Sequence, residues 1–253
     1  MDLDFTEEQH MLRDTVRGVC NQHASIAVVR AMEDDPIGYP APLWKQLGAL
    51  GLLGLTLPEA YGGSGQSALE AMIVYEELGR ALAPSPHFVS AVLSAGALAR
   101  GGTEAQKREW LPKIASGEAI LTPAWLEPQG GYGPAGVRLT ASGSGGSVTV
   151  RGTKRHVLFA KAATRLLVLA RSGSGAADID LLLVDPSTPG VTLTQQKTMA
   201  SDTQYQVTFQ NVPVAATERI GAASSGWAIW NEVMHEGIIM LAAQAMGGAE
   251  RAL

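Results

Sequence analysis

Residues able to carry catalysis are sparse in this sequence, and their spacing removes most reaction classes before any fold is considered. His10, His23 and His87 show no metal-ligand spacing, and the one cysteine, Cys20, leaves no second thiolate for a zinc site. Ser64 and Ser94 stand in no nucleophile motif with an adjacent base. His235 and Glu236 are residue types of general acid–base chemistry, yet side by side they read as the polar edge of a helix. Asp2, Asp4, Glu7 and Glu8 read as the solvated start of another helix, and Tyr61-Gly62-Gly63 as a tight turn needing φ > 0. Trp44, Trp110 and Trp227 sit at helical spacing and read as core rather than as platforms for a cofactor.

Helices and strands must position whatever these residues do. Thr6 and Gln9 have capping-box spacing, and Leu12, Val16, Val19 and Cys20 then share one helical face. A helix from about Pro42 to Leu50 is expected to bury Leu43, Leu47 and Leu50. Another runs from about Ser67 to Leu82, with Ala71, Val74, Tyr75 and Leu78 on one side. A fourth, Pro86 to Arg100, is stopped by Gly101-Gly102. Thr103 caps a fifth, with Gln106 at the box position and Trp110, Leu111 and Ile114 inward.

After Gly117 the period changes from helical to alternating, as in Val148–Arg151, Val191–Thr194 and Gln206–Phe209. Apolar runs at Leu166–Ala170 and Ile179–Val184 predict buried strands, and Ser142–Ser147 and Ser172–Ala177 read as hairpin loops. From Ser225 the pattern returns to helix. Its centre, Ile238–Ala243, is apolar all round and calls for partners on several sides, from further chain or from other chains. The fold class expected is α+β and multidomain. An all-α N-terminal domain spans 1–118, a β-barrel or sandwich domain 119–224, and the first helix of an incomplete C-terminal bundle 225–253.

The chain has 253 residues, 46% hydrophobic and 17% charged, with a net charge of -5, a balance that reads as globular and ordered. There is no dense Lys/Arg run, so a nucleic-acid surface is not expected. No secretory signal or membrane-length apolar run is visible, and the lone cysteine fits a reducing compartment, so the expected location is cytoplasmic.

Eight local phrases, in order, resemble the acyl-CoA dehydrogenase family over nearly the whole chain. They are Phe5–Gln9, Leu55–Gly65 (its Pro-Glu-x-Tyr-Gly-Gly-x-Gly loop), Glu76–Arg80, Lys107–Gly117, Glu127-Pro128, Gly152-Thr153-Lys154, Val207–Gly221 and Ala242–Gly247. The resemblance implies FAD, an acyl-CoA substrate and homologous subunits as partners. It implies that a carboxylate removes the proton α to a thioester carbonyl while the β-carbon gives hydride to flavin.

Carried over residue by residue, the resemblance places Trp125, Leu126, Gly131, Tyr132, His156 and Leu158 at flavin-contacting positions. Several depart from the family's pattern. Leu126 replaces the threonine of Thr-Glu-Pro, and Gly131, Tyr132 and Gly133 replace Gly-Ser-Asp. His156, Val157 and Leu158 replace Trp-Ile-Thr. Three lost contacts at about 1 kcal/mol each weaken flavin binding by roughly two orders of magnitude. The base that some members carry on the first bundle helix aligns with Gly237, and the neighbouring arginine with Ile238; other members carry the base near the C-terminus, in sequence this chain lacks. Glu236 is one residue off, about 100° around the helix, and is the one carboxylate candidate there. Two readings follow. One is an FAD-dependent dehydrogenase subunit; the other is a flavin-poor binding and structural subunit paired with a competent sister chain or, with no such partner, a flavin-free scaffold of the same fold. Such pairing occurs in heterotetrameric branches that dehydrogenate steroid-side-chain thioesters.

Overall fold

The computed structural model describes residues 4–143 and 145–253; Asp2 and the Ser144 of the Ser142–Ser147 loop lie outside them. The N-terminal half is built from α1 (Glu7–His23), α2 (Ile26–Ala31), α3 (Ala41–Ala49), α4 (Ala68–Arg80), α5 (Ala95–Gly101) and α6 (Glu104–Ser116). The capping boxes of α1 and α6 form as their sequences demand, with each Thr hydroxyl accepting from the backbone N–H three residues on. A third box at Ser67 and Glu70 starts α4. In the Tyr61-Gly62-Gly63 turn Gly62 has φ 81°, the conformation the sequence called for.

Two expectations need correction here. Leu50 is not buried but 41% exposed, because it is the residue that ends α3 before Gly51 turns left-handed. The segment from Pro86 is not one α-helix: Phe88–Ser94 is wound as a π-helix, and only Ala95–Gly101 is α-helical, with Gly102 as its cap. The Ser94 hydroxyl donates to the carbonyl of Val89, five residues back, and supports the wider turn. Trp44 and Trp110 are core residues as expected, and Trp227 is partly buried against the core.

Eight strands follow: β1 (Leu121–Ala124), β2 (Thr140–Ser142), β3 (Ser147–Leu158), β4 (Arg165–Arg171), β5 (Ile179–Val184), β6 (Val191–Gln196), β7 (Gln204–Ala215) and β8 (Arg219–Ile220). They form one sheet in the order β6-β7-β3-β2-β4-β5-β8, with β1 pairing parallel to β4. The period of two explains the apolar runs Leu166–Ala170 in β4 and Leu181–Val184 in β5, which are buried on both faces. Leu166, Val168 and Leu182 face a core inside the sheet, shared with Val150, Val207 and Phe209. Leu167, Leu169, Leu181 and Leu183 face the helices, where they join Leu98, Leu111, Ile114 and Trp230. The helical and strand regions thus share a core on this face.

The last helix, α7 (Gly226–Ala252), buries a single stripe containing Trp230, Val233, Gly237, Met240, Ala243 and Gly247. Its crossing with α4 is close: a Cβ on Gly79 would lie 1.9 Å from the carbonyl oxygen of Gln244, and one on Gly247 1.8 Å from that of Glu76. Ile238, Ile239, Leu241 and Met246 on its other faces are exposed. No helix among the described residues is long and apolar enough to cross a membrane.

Candidate functional site

Two of the family-like phrases, far apart in sequence, meet in space. Glu127 is buried, and one of its oxygens accepts from the backbone N–H groups of Arg138 and Leu139 at 2.9 and 3.0 Å and from Lys154 Nζ at 2.7 Å. Lys154 is fully buried and also donates to the Trp125 carbonyl at 3.3 Å. Burial pulls its ammonium down to about 8 against the raising influence of Glu127. This ion pair ties the loop after β1 to the middle of β3. It fixes the backbone on which Trp125, Leu126, Tyr132 and His156 stand.

Those positions carry side chains other than the ones the resemblance implies for isoalloxazine. Space is present, since a Cβ built on Gly131 or Gly133 would meet nothing within 4 Å. Donors are not. Leu126 is half-buried and aliphatic, and its carbonyl is taken by the Arg155 N–H at 2.9 Å. Tyr132 does not fill a buried space; it is 79% exposed, tilted against Trp125 with ring centroids 6.1 Å apart. Trp125 in turn packs on the buried Trp230 at 5.5 Å, and the indole N–H of Trp230 is buried without a partner among the described residues. Two orphaned donors thus stand near the seat: Trp230 Nε1, behind Trp125, and Arg155 Nε, on β3 next to His156.

His156 is exposed, with φ 53°, in an irregularity of β3 between Lys154 and Val157. Gln196 Oε1 accepts from its backbone N–H at 3.0 Å, and its Nδ1 donates to Gln204 Oε1 at 2.7 Å. Gln204 passes the interaction on to Asp202, which also accepts from Thr198. The relay holds the imidazole through Gln204 on β7, while Gln196 on β6 holds the backbone N–H of the same residue. It is invisible in sequence because its members come from separate segments. Leu158 lies apart from His156, half-buried, and lines a groove.

That groove encloses about 530 Å³ between α2, the loop from Leu82 to Ser85, the start of the π-helix, the end of β3 and α7. Val29, Met32, Phe88, Leu158, Phe159 and Leu241 make it largely apolar. Leu82, Phe159 and Ser201 on its wall all have positive φ, an uncommon backbone state for residues of their type. On α7 the position aligned with a base, Gly237, is buried against the π-helix. A Cβ there would lie 2.9 Å from Leu93 Cδ2 and 3.3 Å from Phe88 Cζ. Glu236 is turned to the outside and pairs with Arg100, which also draws Glu232 to 3.7 Å. The structure thus keeps Glu236 apart from Trp125, Leu126, Tyr132 and Leu158, and His235 stays on the same helix without joining them.

The π-helix is itself anchored by polar contacts. His87 is buried; its Nε2–H donates to the Leu52 carbonyl at 3.0 Å, which leaves Nδ1 to accept from the Tyr75 hydroxyl at 2.7 Å. Burial lowers the imidazole to about 4, so it is held neutral. Among the described residues no cluster of three His, Cys, Asp or Glu groups has metal-binding proximity.

Comparison with known proteins agrees with this architecture. The chain is 30% identical to the probable acyl-CoA dehydrogenase YngJ of Bacillus subtilis, over 100% of this chain and 68% of that protein. It superposes on the Tcur3481-Tcur3483 steroid ACAD with a TM-score of 0.88 and 26% identity, covering 100% of this chain and 66% of that one. The ChsE4-ChsE5 complex from Mycobacterium tuberculosis matches with a TM-score of 0.86 and 28% identity, over 99% of this chain and 66% of that one. Among these and other curated relatives the chain spans between 55% and 68% of their length. The family model described as the acyl-CoA dehydrogenase N-terminal domain matches residues 6–118, and the model for the middle domain matches 123–212. On the strength of both matches, this chain belongs to the acyl-CoA dehydrogenase family.

Proposed function

We propose that the chain is one subunit of an FAD-dependent acyl-CoA dehydrogenase, a cytoplasmic assembly that introduces an α,β double bond into an acyl-CoA thioester. It pairs there with a homologous, catalytically competent sister subunit, as a heterotetramer of the steroid-side-chain type. Residues 1–118, 119–224 and 225–253 act as its helical, β and C-terminal helical parts. In this reading the chain contributes framework and an apolar groove for the acyl chain, while flavin and base are supplied by the companion. The observation that carries it is Gly237, which has no side chain where the resemblance places a carboxylate and is packed against Leu93 and Phe88, so that any side chain there would have to displace them. The unfitted lining at Leu126, His156 and Leu158 points the same way. The names of two similar structures, Tcur3481-Tcur3483 and ChsE4-ChsE5, each join two components, which supports a paired assembly.

The test is turnover. The chain is purified alone and with a co-expressed homologue, and acyl-CoA-dependent reduction of an artificial electron acceptor is followed. Turnover is expected from the pair and not from the lone chain. A lone chain as fast as the pair would overturn the proposal.

A further inference from the structure

The groove does not end at Gln244. Ile26 and Leu82 line both it and a second cavity of about 500 Å³, into which Arg17, Arg80 and Arg251 project from three helices. The charges there do not cancel. Glu77 is committed to Arg17, whose Nε donates to one oxygen at 2.9 Å and whose Nη2 donates to the other at 2.6 Å. Asp14 and Glu250 also act on Arg17 and do not line the cavity. Cys20 adds no charge, because burial pushes its thiol up to about 12. Arg80 and Arg251 have no carboxylate within ion-pair distance among the described residues, and Arg80 Nε is buried without an acceptor.

Both arginines sit in the last turns of their helices, α4 and α7, where a positive charge complements the helix dipole. The dipole accounts for their charge. It gives no acceptor to a buried N–H, and such groups are rarely left unmet. The glycine crossing fixes their placement: Gly79, next to Arg80, packs on Gln244, and Gly247, one turn before Arg251, packs on Glu76. Hence the apolar groove runs toward two guanidinium groups that lack an anion.

We propose that this cavity receives a distal carboxylate, so that the acyl thioesters preferred by the groove are ω-carboxylated ones. The inference rests on the groove being the acyl-thioester site. Seven steps along α7 separate Gly237, the position aligned with a base, from Gln244 in the groove, about 10 Å of helix, so a chain on the order of ten carbons covers that length. Its apolar body lies against Phe88, Leu158 and Leu241, and its terminal carboxylate meets the planar fork of Arg80, with Arg251 as a second donor.

Calorimetry of the 253-residue chain with decanoyl-CoA and with the CoA monothioester of decanedioic acid tests this. The diacid thioester is expected to bind about tenfold to a hundredfold more tightly. In Arg80→Gln the ratio of the two affinities falls toward one. Arg251→Gln, on an exposed last turn where folding is not at risk, lowers the ratio by a smaller factor. Equal affinities in the parent chain, or variants that weaken both thioesters alike, would overturn the inference while leaving the groove reading intact. Failure of both thioesters to bind would remove the groove reading and this inference together.

Discussion

Glu127 and Lys154 differ sharply from their near neighbours Leu126 and His156. The first two face the interior, where one carboxylate oxygen, two backbone amides and an ammonium close a buried network. The other two stand on the same loop and strand but face outward, and carry side chains unlike those the family's flavin contacts require. The parts of each phrase that hold the backbone are present, and the parts that touch a cofactor are changed. A matching phrase thus reports a scaffold, and activity has to be read from the alternate positions.

The comparison is broken most forcefully from the inside. Lys154→Met leaves the Glu127 carboxylate buried without its cation and is expected to cost about 3–5 kcal/mol of stability. Thermal or denaturant unfolding measures it, and Glu127→Gln in the same background should recover much of the loss. A cost below about 1 kcal/mol would mean that the pair does not hold the loop.

His87 tests the interior in a second way. Its folded value of about 4 lies below the ordinary 6.5, so between these the unfolded chain binds a proton that the folded chain refuses. Stability from this group is intact above pH 6.5 and is lost as pH falls toward 4, by about 3 kcal/mol in all. His87→Gln should flatten that part of the stability–pH curve. An unaltered slope would show that the imidazole titrates normally.

Much of this inside–outside division was legible in the sequence. Capping boxes at Thr6 and Thr103 and the alternation in β3, β6 and β7 are local signals, and they report elements correctly. Leu50 misled because helical spacing says nothing about where a helix stops, and Phe88–Ser94 because π and α turns share their residue preferences. The substitutions at Leu126, His156 and Leu158 could be seen at once. What filled the base position could not, since Leu93 and Phe88 reach Gly237 across a helix pair. The Arg17, Arg80 and Arg251 cluster is likewise assembled from three helices, and no periodicity brings them together.

The outer side gives the smallest expected effect. Glu236→Gln removes a surface ion pair with Arg100 and should change stability by less than about 1 kcal/mol. Turnover of the reconstituted pair should stay at the parent rate. A drop of orders of magnitude would make Glu236 a base and erase the distinction drawn between framework and chemistry.

The most direct measurement is the visible spectrum of the isolated chain, with flavin released and quantified against protein. A lining of Leu126, His156 and Leu158 predicts an almost colourless protein that becomes yellow only when its companion is co-purified. One flavin per chain in the isolated protein would contradict the account.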